Sequence, residues 1–471
     1  MIAAAASGLR DALRARIDDA IRAARATRRP HIASLTIEAD AALDASAAVF
    51  ASRRPGDRWL CFEQPERSGY ALAALGEAAR IEARGPERFG EAAGRCRELA
   101  RDAVTGDLGA LPSGTGPIFC GGFAFADGGG SAPEWSAFAP AQLVLPELSV
   151  FRRGREAWLT LTVVAQGDEA PDALAERAET RLAALQPSAM PLVDPDPVHP
   201  ARVASAAPPE HYEGAVARAV ELIERGELSK VVLAREVRVH ARSAIDPAAI
   251  FGALRDVFPS CFLYCFGTPE GAYVGASPEL LVRRDGARSQ TVALAGTTRR
   301  SADPSVDDHL GEQLLHSPKE REEQAIVAER IQRTLRPVSV WVAAADEPVL
   351  VKVQNVQHLA TPIRAQLREP VSAVELAGLL HPTPAVGGEP RERAGRLIPE
   401  LEGLDRGWYA GPIGWMDIAE DGEFCVGLRG ALLRREVAHL YAGCGIVRDS
   451  DPAAELAETE IKLQALLPLL A

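Results

Sequence analysis

The sequence predicts an α+β fold in which antiparallel sheets are covered by helices. Strand-like segments of alternating or short apolar runs are bounded by glycine and proline, and many are joined in pairs by short turns, as in hairpins. Helical segments are inserted between these hairpins rather than after every strand. The 471 residues, 47% of them apolar, are sufficient for a large core.

The first part of the chain opens with an amphipathic, arginine-rich segment, residues 7–30, that predicts a surface helix. Its aspartates, Asp11, Asp18 and Asp19, argue against a transit peptide. The elements predicted after it are short strands within 31–80, a helix over Pro86–Ala103, a strand over 117–127, a hairpin over 141–165 that turns at Arg153–Arg155, and a helix over 170–187.

A proline- and alanine-rich segment, residues 186–210, is the clearest break in composition. On composition alone it is either a domain linker or a long surface crossover. It divides the chain into an N-terminal α+β half, residues 1–185, and a C-terminal region, residues 211–471.

The C-terminal region begins with a helix that ends near Gly226, a residue type favoured at helix C-termini. A strand over Leu228–Val239 follows. The further predicted elements are a helix over Pro247–Val257, several strands through Leu294, a long helix over Ser317–Leu335, strands with a short helix, a strand meander over 407–447, and a final helix over Ala453–Leu470.

Charge and cysteine content narrow the possible functions. The net charge of −13 argues against binding to nucleic acid or to an anionic membrane, although a local site can still bind a small anion. Seven scattered cysteines, with no CxxC pair, indicate reduced thiols in a cytoplasmic protein. No apolar run is long enough to cross a membrane.

Lys230 lies at the start of the Leu228–Val239 strand, next to three aliphatic residues. A lysine withdrawn from water loses part of its preference for the charged form, and a neutral amine can take a proton from water. The alternative is an ordinary lysine whose amine reaches solvent at a strand end.

Two helices carry acids on their apolar stripes. Glu320 and Glu323 lie in line with the buried positions of the 317–335 helix, and Glu455 and Glu458 do so in the final helix. Carboxylates crowded in a partly dry site repel each other unless a cation offsets their charge, and Mg2+ prefers such ligands. Alternatively, the acids are solvated and stabilise the helix N-termini.

Other segments are typical of a site for an anionic ligand. Glu279 follows a strand of small residues, where apolar walls can keep its carboxyl group protonated as a general acid. Glycines at 296, 443 and 445 allow close backbone approach, and Arg429 is a charge within an apolar strand. A turn glutamate, tight turns and a structural arginine are the alternatives.

Taken together, these segments resemble the chorismate-utilising enzymes, in particular isochorismate synthases. The matching motifs cover about residues 211–462 in the order of that family, with weaker matches before them. They are SKVVLAR, ASPELL, AGTTRR, SPKEREEQ, VQHL, HPTPAVGG, GWYAGPIG, LRGALL, YAGCGIV and DSDPAAELAETEIK. The family fold is a large unit of two packed antiparallel sheets flanked by helices, which would make 186–210 a crossover within one unit.

The resemblance implies a magnesium-dependent isomerisation of chorismate to isochorismate. Lys230 would activate a water that attacks C2 of the ring, and Glu279 would protonate the departing C4 hydroxyl. The implied Mg2+ ligands are Glu323 and Glu458, with Glu320 and Glu455 close by. The implied substrate-binding residues are Gly296, Thr297, His358, Tyr409, Arg429, Gly443, Gly445 and Lys462.

Several positions bear on which reaction the family resemblance implies. Lys230 occurs in isochorismate and salicylate synthases, whereas anthranilate synthases carry glutamine there, and Pro384 with Ala385 resembles the hydroxylating branch. The chain also departs from the commonest family pattern, and the first two departures border the implied metal site. They are Glu320 for aspartate, Gln324 for histidine, Leu456 for tryptophan, Cys444 for alanine and Gly387 for serine.

The alternatives within this resemblance are a salicylate synthase, which continues to pyruvate loss, and a non-catalytic chorismate-binding relative. The expected protein is a cytoplasmic monomer or weak homodimer that binds neither nucleic acid nor membranes. Menaquinone, a catecholate siderophore or salicylate would be the downstream product.

Overall fold

The computed structural model describes residues 2–193, 201–354 and 356–470, with side chains from residue 8 onward. It confirms the α+β class: two large antiparallel sheets carry helices on their outer faces and at their ends. The helices are α1 Ile2–Thr27, α2 Ala45–Ser52, α3 Arg88–Ala100, α4 Pro171–Ala183, α5 Pro209–Glu224, α6 Pro247–Val257, α7 Pro304–His316, α8 Pro318–Leu335, α9 Ala373–Leu380, α10 Arg391–Glu402, α11 Pro452–Leu463 and α12 Leu467–Leu470.

The strands of the first half are β1 His31–Glu38, β2 Trp59–Gln64, β3 Tyr70–Leu75, β4 Ala79–Ala83, β5 Ile118–Phe123, β6 Ala141–Leu145, β7 Leu148–Arg153 and β8 Glu156–Ala165. Those of the second half are β9 Arg202–Ser205, β10 Lys230–His240, β11 Phe262–Thr268, β12 Gly271–Ser277, β13 Leu280–Asp285, β14 Arg288–Arg299, β15 Ser339–Ala344, β16 Val349–Lys352, β17 Val356–Leu367, β18 Gly388–Glu389, β19 Pro412–Asp417, β20 Gly422–Val426, β21 Gly430–Arg434 and β22 Val437–Ile446.

Each sheet contains a block of strands from the first half of the chain next to a block from the second half. The larger sheet runs β1-β8-β7-β3-β2-β11-β12-β21-β22-β10-β18, with β9 on β10, and the smaller runs β15-β17-β14-β13-β20-β19-β5-β6-β4, with β16 on β17. The two halves meet where β2 pairs with β11 and where β5 pairs with β19. The division at 186–210 stays a prediction; β9 lies within it, and residues 194–200 lie outside the described ranges.

The core follows the alternation of side chains along the strands. In β11, Phe262, Tyr264 and Phe266 pack in the cluster that joins the two sheets. The intervening Leu263 and Cys265 pack on the other face with α1, α2, α4 and α6. Because successive strand residues point to opposite faces, the larger sheet is buried on both sides. Within the described ranges, no helix has the length and apolar character of a membrane span.

The helices of the structure differ from the prediction in four places. Helices α2, α7 and α10 are additional to the predicted elements, and α10 begins within a segment, residues 381–395, that the sequence predicts as a loop. The predicted final helix over Ala453–Leu470 is wrong in its second part, because α11 ends at Leu463 and a turn separates it from α12. Pro468 explains this break, since proline has no backbone N–H and its ring clashes with the carbonyl of the residue four positions earlier.

Candidate active site

A cavity of about 110 Å³ lies between β10 and β22 on one side and β14, β17 and α8 on the other. All but one of the site residues predicted from the sequence line it. These are Glu279, Gly296, Thr297, Glu320, Glu323, His358, Tyr409, Arg429, Gly443, Gly445, Glu455, Glu458 and Lys462. The structure therefore brings together residues from eight separate motifs.

Lys230, the remaining predicted residue, is fully buried at the first position of β10. Its Nζ lies 2.7 Å from Glu323 Oε1, and Glu323 in turn lines the cavity. Gly445 on the neighbouring strand makes room for this pair. A Cβ at position 445 would lie 2.5 Å from Glu323 Oε1 and 2.8 Å from Lys230 Cε, so only glycine fits without displacing them.

The four acids come from the first two turns of two helices, with Glu320 and Glu455 in the first turns. The starts of both helices are fixed by the same local sequence signals. Ser317 caps α8 by accepting a hydrogen bond from the Glu320 N–H, and Asp451 caps α11 in the same way. Each cap is followed by proline at the first helical position, which fixes the direction of the helix. The acids thus lie at the positive ends of two helix dipoles.

The acids repel one another. Burial raises the pKa of Glu320 to about 7, and the neighbouring charge of Glu323 adds to this shift. Burial and the charge of Glu458 likewise raise the pKa of Glu455. Burial also acts to raise the pKa of Glu458, but the Lys462 ammonium, 2.7 Å away, holds it below its usual value. A cation held here would relieve the remaining repulsion.

The donor set is suited to a divalent ion. Oxygens of Glu455 and Glu458 and the sulfur of Cys444 all lie within 4.8 Å of one another, and Glu320 and Glu323 line the same cavity. Several carboxylates beside an open cavity are the ligands that Mg2+ takes together with water and anionic ligands. Gln324 does not line the cavity; its amide donates to Ala293 O and Thr361 Oγ1.

Arg429 provides positive charge elsewhere on the wall. It is only 8% exposed, and no carboxylate forms a salt bridge with it in the part of the chain that the structure describes. Its Nη2 donates to His358 Nε2 at 2.6 Å, which leaves His358 Nδ1 to donate to Gly296 O at 3.3 Å. Burial and the adjacent Arg429 keep the pKa of His358 well below its usual value, so the imidazole is neutral.

Glu279 lies just after β12, where Ser277 Oγ accepts from its backbone N–H and Val426 N–H donates to its carbonyl. It is 3% exposed, and burial raises the pKa of its carboxyl group to about 8 despite the opposing charge of Lys230. The side chain is therefore protonated at neutral pH and is able to donate a proton into the cavity.

Sequence reasoning missed Arg406, Lys319 and Tyr441 as wall residues. Arg406 is buried and donates to the carbonyls of Val232 and Val386, which join β10 to the segment before β18. Lys319 lies 3.7 Å from Glu455. Lys319 and Tyr441 lie inside quoted motifs, and Arg406 directly precedes one. Their places on the cavity wall depend on contacts between distant segments, which a local pattern does not identify.

Comparison with known proteins agrees with this architecture. The family model described as "Chorismate binding enzyme" matches residues 19–471, and the chain belongs to this family. It is 37% identical over 455 residues to the "Salicylate biosynthesis isochorismate synthase" of Pseudomonas aeruginosa, covering 97% of this chain and 93% of that protein. It is 35% identical over 362 residues to "Isochorismate synthase MenF" of Bacillus subtilis, covering 76% and 75%.

A solved structure extends the similarity to the whole fold. The menaquinone-specific isochorismate synthase MenF of Escherichia coli superposes with a TM-score of 0.80 at 28% identity, covering 97% of this chain and all of that one. The two-sheet architecture is thus that of an isochorismate synthase, and the predicted family membership is confirmed.

Proposed function

We propose that the protein is an isochorismate synthase, which converts chorismate to isochorismate with Mg2+ as cofactor. The observation that carries the proposal is a single cavity that combines a buried guanidinium without a carboxylate partner among the described residues, a cluster of four acids, and a protonated carboxyl group. These groups match a dicarboxylate ligand, a cation that bridges it to the acids, and an acid for a poor leaving group.

Glu323 and Glu458 are the proposed Mg2+ ligands, with Glu320 and Glu455 completing the acidic surface. When bound, the ion would neutralise these acids and supply the positive charge that anchors the ring carboxylate. Their crowding supports the assignment, because the pKa of Glu320 is already raised to about 7 by burial and by Glu323.

The remaining wall residues are proposed to bind and orient the substrate. Arg429, Tyr409 and Lys462, with the backbone at Gly443 and Gly445, would bind the enolpyruvyl carboxylate. Gly296 and Thr297 would contact the ring carboxylate, with His358 held between Thr297 and Arg429. Arginine suits such a role because its planar fork matches a carboxylate.

Lys230 and Glu279 are proposed to carry the proton transfers. In its uncharged form, the Lys230 amine takes a proton from a water whose oxygen attacks C2, the ring double bond shifts, and the C4–O bond breaks. Glu279 donates a proton to the departing hydroxyl, which leaves as water. One water enters and one leaves, so the product is an isomer of the substrate and the reaction is reversible.

The test is incubation with chorismate and Mg2+, followed by separation of the products and NMR of the ring protons. Isochorismate should form, chelation with EDTA should stop the reaction, and added Mg2+ should restore it. Lys230→Ala should lose turnover while chorismate binding persists. Absence of isochorismate, turnover in chelator, or full turnover of the variant would contradict the corresponding part of the proposal.

Salicylate synthase is the second candidate, because the Pseudomonas aeruginosa relative carries salicylate biosynthesis in its name. Salicylate fluorescence that develops without a second enzyme would favour it. We further propose a cytoplasmic location, which is supported by the seven cysteines, all buried and free.

A further inference from the structure

A second group of metal-binding side chains lies outside the cavity. Glu134, Glu236 and His439 each place a ligand atom within 4.8 Å of the other two. They come from three separate segments: the 3₁₀ turn Pro133–Trp135, strand β10 and strand β22. The larger sheet therefore brings one imidazole and two carboxylates together beside a loop from the first half of the chain.

The two acids of this group are unequally paired. Glu236 is 5% exposed; its Oε1 accepts from His439 Nδ1 at 2.7 Å, and Arg238 donates to both of its oxygens at 2.8 and 3.0 Å. The Glu134 carboxylate has no hydrogen bond or salt bridge within the described ranges, because the nearby Arg434 donates to the Glu134 backbone carbonyl at 3.0 Å instead. The Arg238 side chain is 42% exposed and free to turn into solvent.

A separate observation also indicates a ligand here. Tyr441 lies opposite Glu236 in the β10–β22 register, so the two side chains share one face of the sheet. It is 3% exposed, and its hydroxyl has no hydrogen-bond partner of normal geometry among the residues described. The Tyr441 ring also lies 5.9 Å from the ring of Trp135, the residue that follows Glu134. Burial and the charges of Glu236 and Glu134 raise the pKa of the Tyr441 hydroxyl, and the Trp135 side chain acts to lower it.

We propose that Glu134, Glu236 and His439 form a second metal site that takes a borderline divalent ion such as Zn2+, with the Tyr441 hydroxyl beside it. An imidazole nitrogen with carboxylate oxygens suits such an ion, whereas Mg2+ prefers oxygen ligands alone. On binding, a His439 ring nitrogen and both carboxylates coordinate the ion, any proton on that nitrogen is released, and Arg238 turns outward.

The site would connect the loop that carries Glu134 to the wall of the catalytic cavity. The Tyr441 ring lines that cavity and stacks on Tyr409, with ring centroids 5.3 Å apart and planes 24° apart. The proposal is independent of the reaction proposed above, because it rests on residues that have no role in that reaction.

The test is a titration of the full-length protein with Zn2+ against a chromophoric chelator in excess Mg2+, which keeps the four-acid cavity occupied by the competing ion. Wild type should bind one Zn2+ that Glu134→Gln binds at least about tenfold more weakly. Glu156→Gln, an exposed glutamate on β8, is the matched control and should behave as wild type. Equal Zn2+ stoichiometry and affinity in wild type and Glu134→Gln would overturn the proposal.

A spectroscopic measurement identifies the nitrogen ligand. Co2+ bound to wild type in excess Mg2+ should show visible d–d bands that His439→Gln shifts or removes. His358, the imidazole on the wall of the four-acid cavity, is unchanged in this variant, and its ring nitrogens contact Arg429 and Gly296. Circular dichroism checks that this variant folds. If it does not fold, the Co2+ bands of Glu134→Gln test the site instead. That variant should fold, because the Glu134 carboxylate makes no hydrogen bond that the change could remove. Bands unchanged in a folded variant would refute His439 as a ligand.

Discussion

Arg429 is expected to lower the stability of the free protein and to strengthen the binding of an anionic ligand. A buried guanidinium without a carboxylate loses the hydration that it has in the unfolded chain, and burial lowers its pKa. Its backbone also has a φ of 48°, in the left-handed region that is unusual for a residue other than glycine. Such a residue weakens the fold unless an anionic ligand occupies the cavity.

Arg429→Met is therefore expected to stabilise the free protein by about 1–4 kcal/mol while chorismate affinity falls by about 2–5 kcal/mol. Denaturant unfolding and calorimetric titration measure the two effects. Arg181→Met is the matched control: Arg181 is similarly buried but paired with Asp57 at 2.8 Å, so the change should destabilise the protein by about 3–5 kcal/mol. Destabilisation in both variants would contradict this account of Arg429.

The pKa of Glu279 predicts that activity decreases at alkaline pH. Burial raises this pKa to about 8, so the carboxyl group holds its proton below that pH and loses it above. We expect kcat/KM to fall as the pH rises through about 8, and Glu279→Gln, which has no proton to give, to lose about 10²–10⁴-fold in rate. Activity unchanged in the variant would contradict the assignment of Glu279 as the acid.

Some of the site residues were indicated by a residue type that is unusual for its place, whereas His358, Tyr409 and Lys462 were expected only from the family resemblance. An acid on an apolar stripe, as at Glu323, or an arginine in an apolar strand, as at Arg429, conflicts with burial and thereby indicates function. The contact between Lys230 and Glu323 was not predictable, because β10 and α8 approach each other only in the folded molecule.

At the scale of elements, helices α8 and α11 each place two glutamates at the cavity, near their N-termini. The helix dipoles favour ionised carboxylates there, whereas burial and mutual repulsion oppose ionisation. The balance would make the proposed Mg2+ binding sensitive to pH near neutrality, because the pKa of Glu320 is raised to about 7 by burial and by Glu323.

Affinity for Mg2+ is accordingly expected to weaken as the pH falls through about 7, where Glu320 takes up a proton. Glu320→Gln should bind the ion more weakly at pH 8 and show a smaller change between pH 8 and pH 6 than wild type does. Calorimetric titration at the two pH values measures both. The same pH dependence in variant and wild type would show that Glu320 is not the responsible group.

Close packing at Gly445 of β22 can be tested by substitution, with Gly214 of α5 as the control position. In Gly445→Ala the new Cβ would lie 2.5 Å from Glu323 Oε1, and the displaced Lys230–Glu323 pair should cost about 10²-fold in turnover. Gly214→Ala, in an exposed position of α5 with open space around it, should instead stabilise the protein by about 0.5–1 kcal/mol with activity unchanged. Steady-state kinetics and thermal unfolding distinguish these outcomes, and normal turnover in Gly445→Ala would contradict the close packing.

Helices were predictable where one face is apolar and the ends carry caps. The predicted helix over Pro247–Val257 is α6 residue for residue, with Asp246 as its cap. Helix α2 was missed because seven of its eight residues are buried, so its sequence shows no amphipathic period to read. Tertiary packing, which the local pattern does not record, makes that segment helical.

On the scale of the whole molecule, the two halves are expected to unfold together. β2 pairs with β11 and β5 pairs with β19, so neither sheet is complete within one half. Hydrogen exchange at increasing denaturant should give the amides of β2, β3 and β7 the same opening free energy as those of β10 and β22. Earlier opening of the first group as a unit would contradict a single cooperative fold.

Hairpins could be predicted from the sequence, but the order of strands across each sheet could not. A turn signal joins neighbours along the chain, as at Arg153–Arg155 between β7 and β8. Nothing local states that β5 must lie beside β19, because that pairing depends on side chains that meet only after the sheets form. The family resemblance supplied the two-sheet architecture that local signals left open.

The division of each sheet between the two halves of the chain has a consequence for biosynthesis. A ribosome releases β1 to β8 long before β11 and β19 emerge, so the nascent chain exposes two strand edges and their apolar surface for most of translation. Completion of the larger sheet waits for β21 and β22, close to the C-terminus. Premature termination should therefore yield aggregates rather than a functional fragment, and chaperones that shield strand edges should raise the yield of active protein.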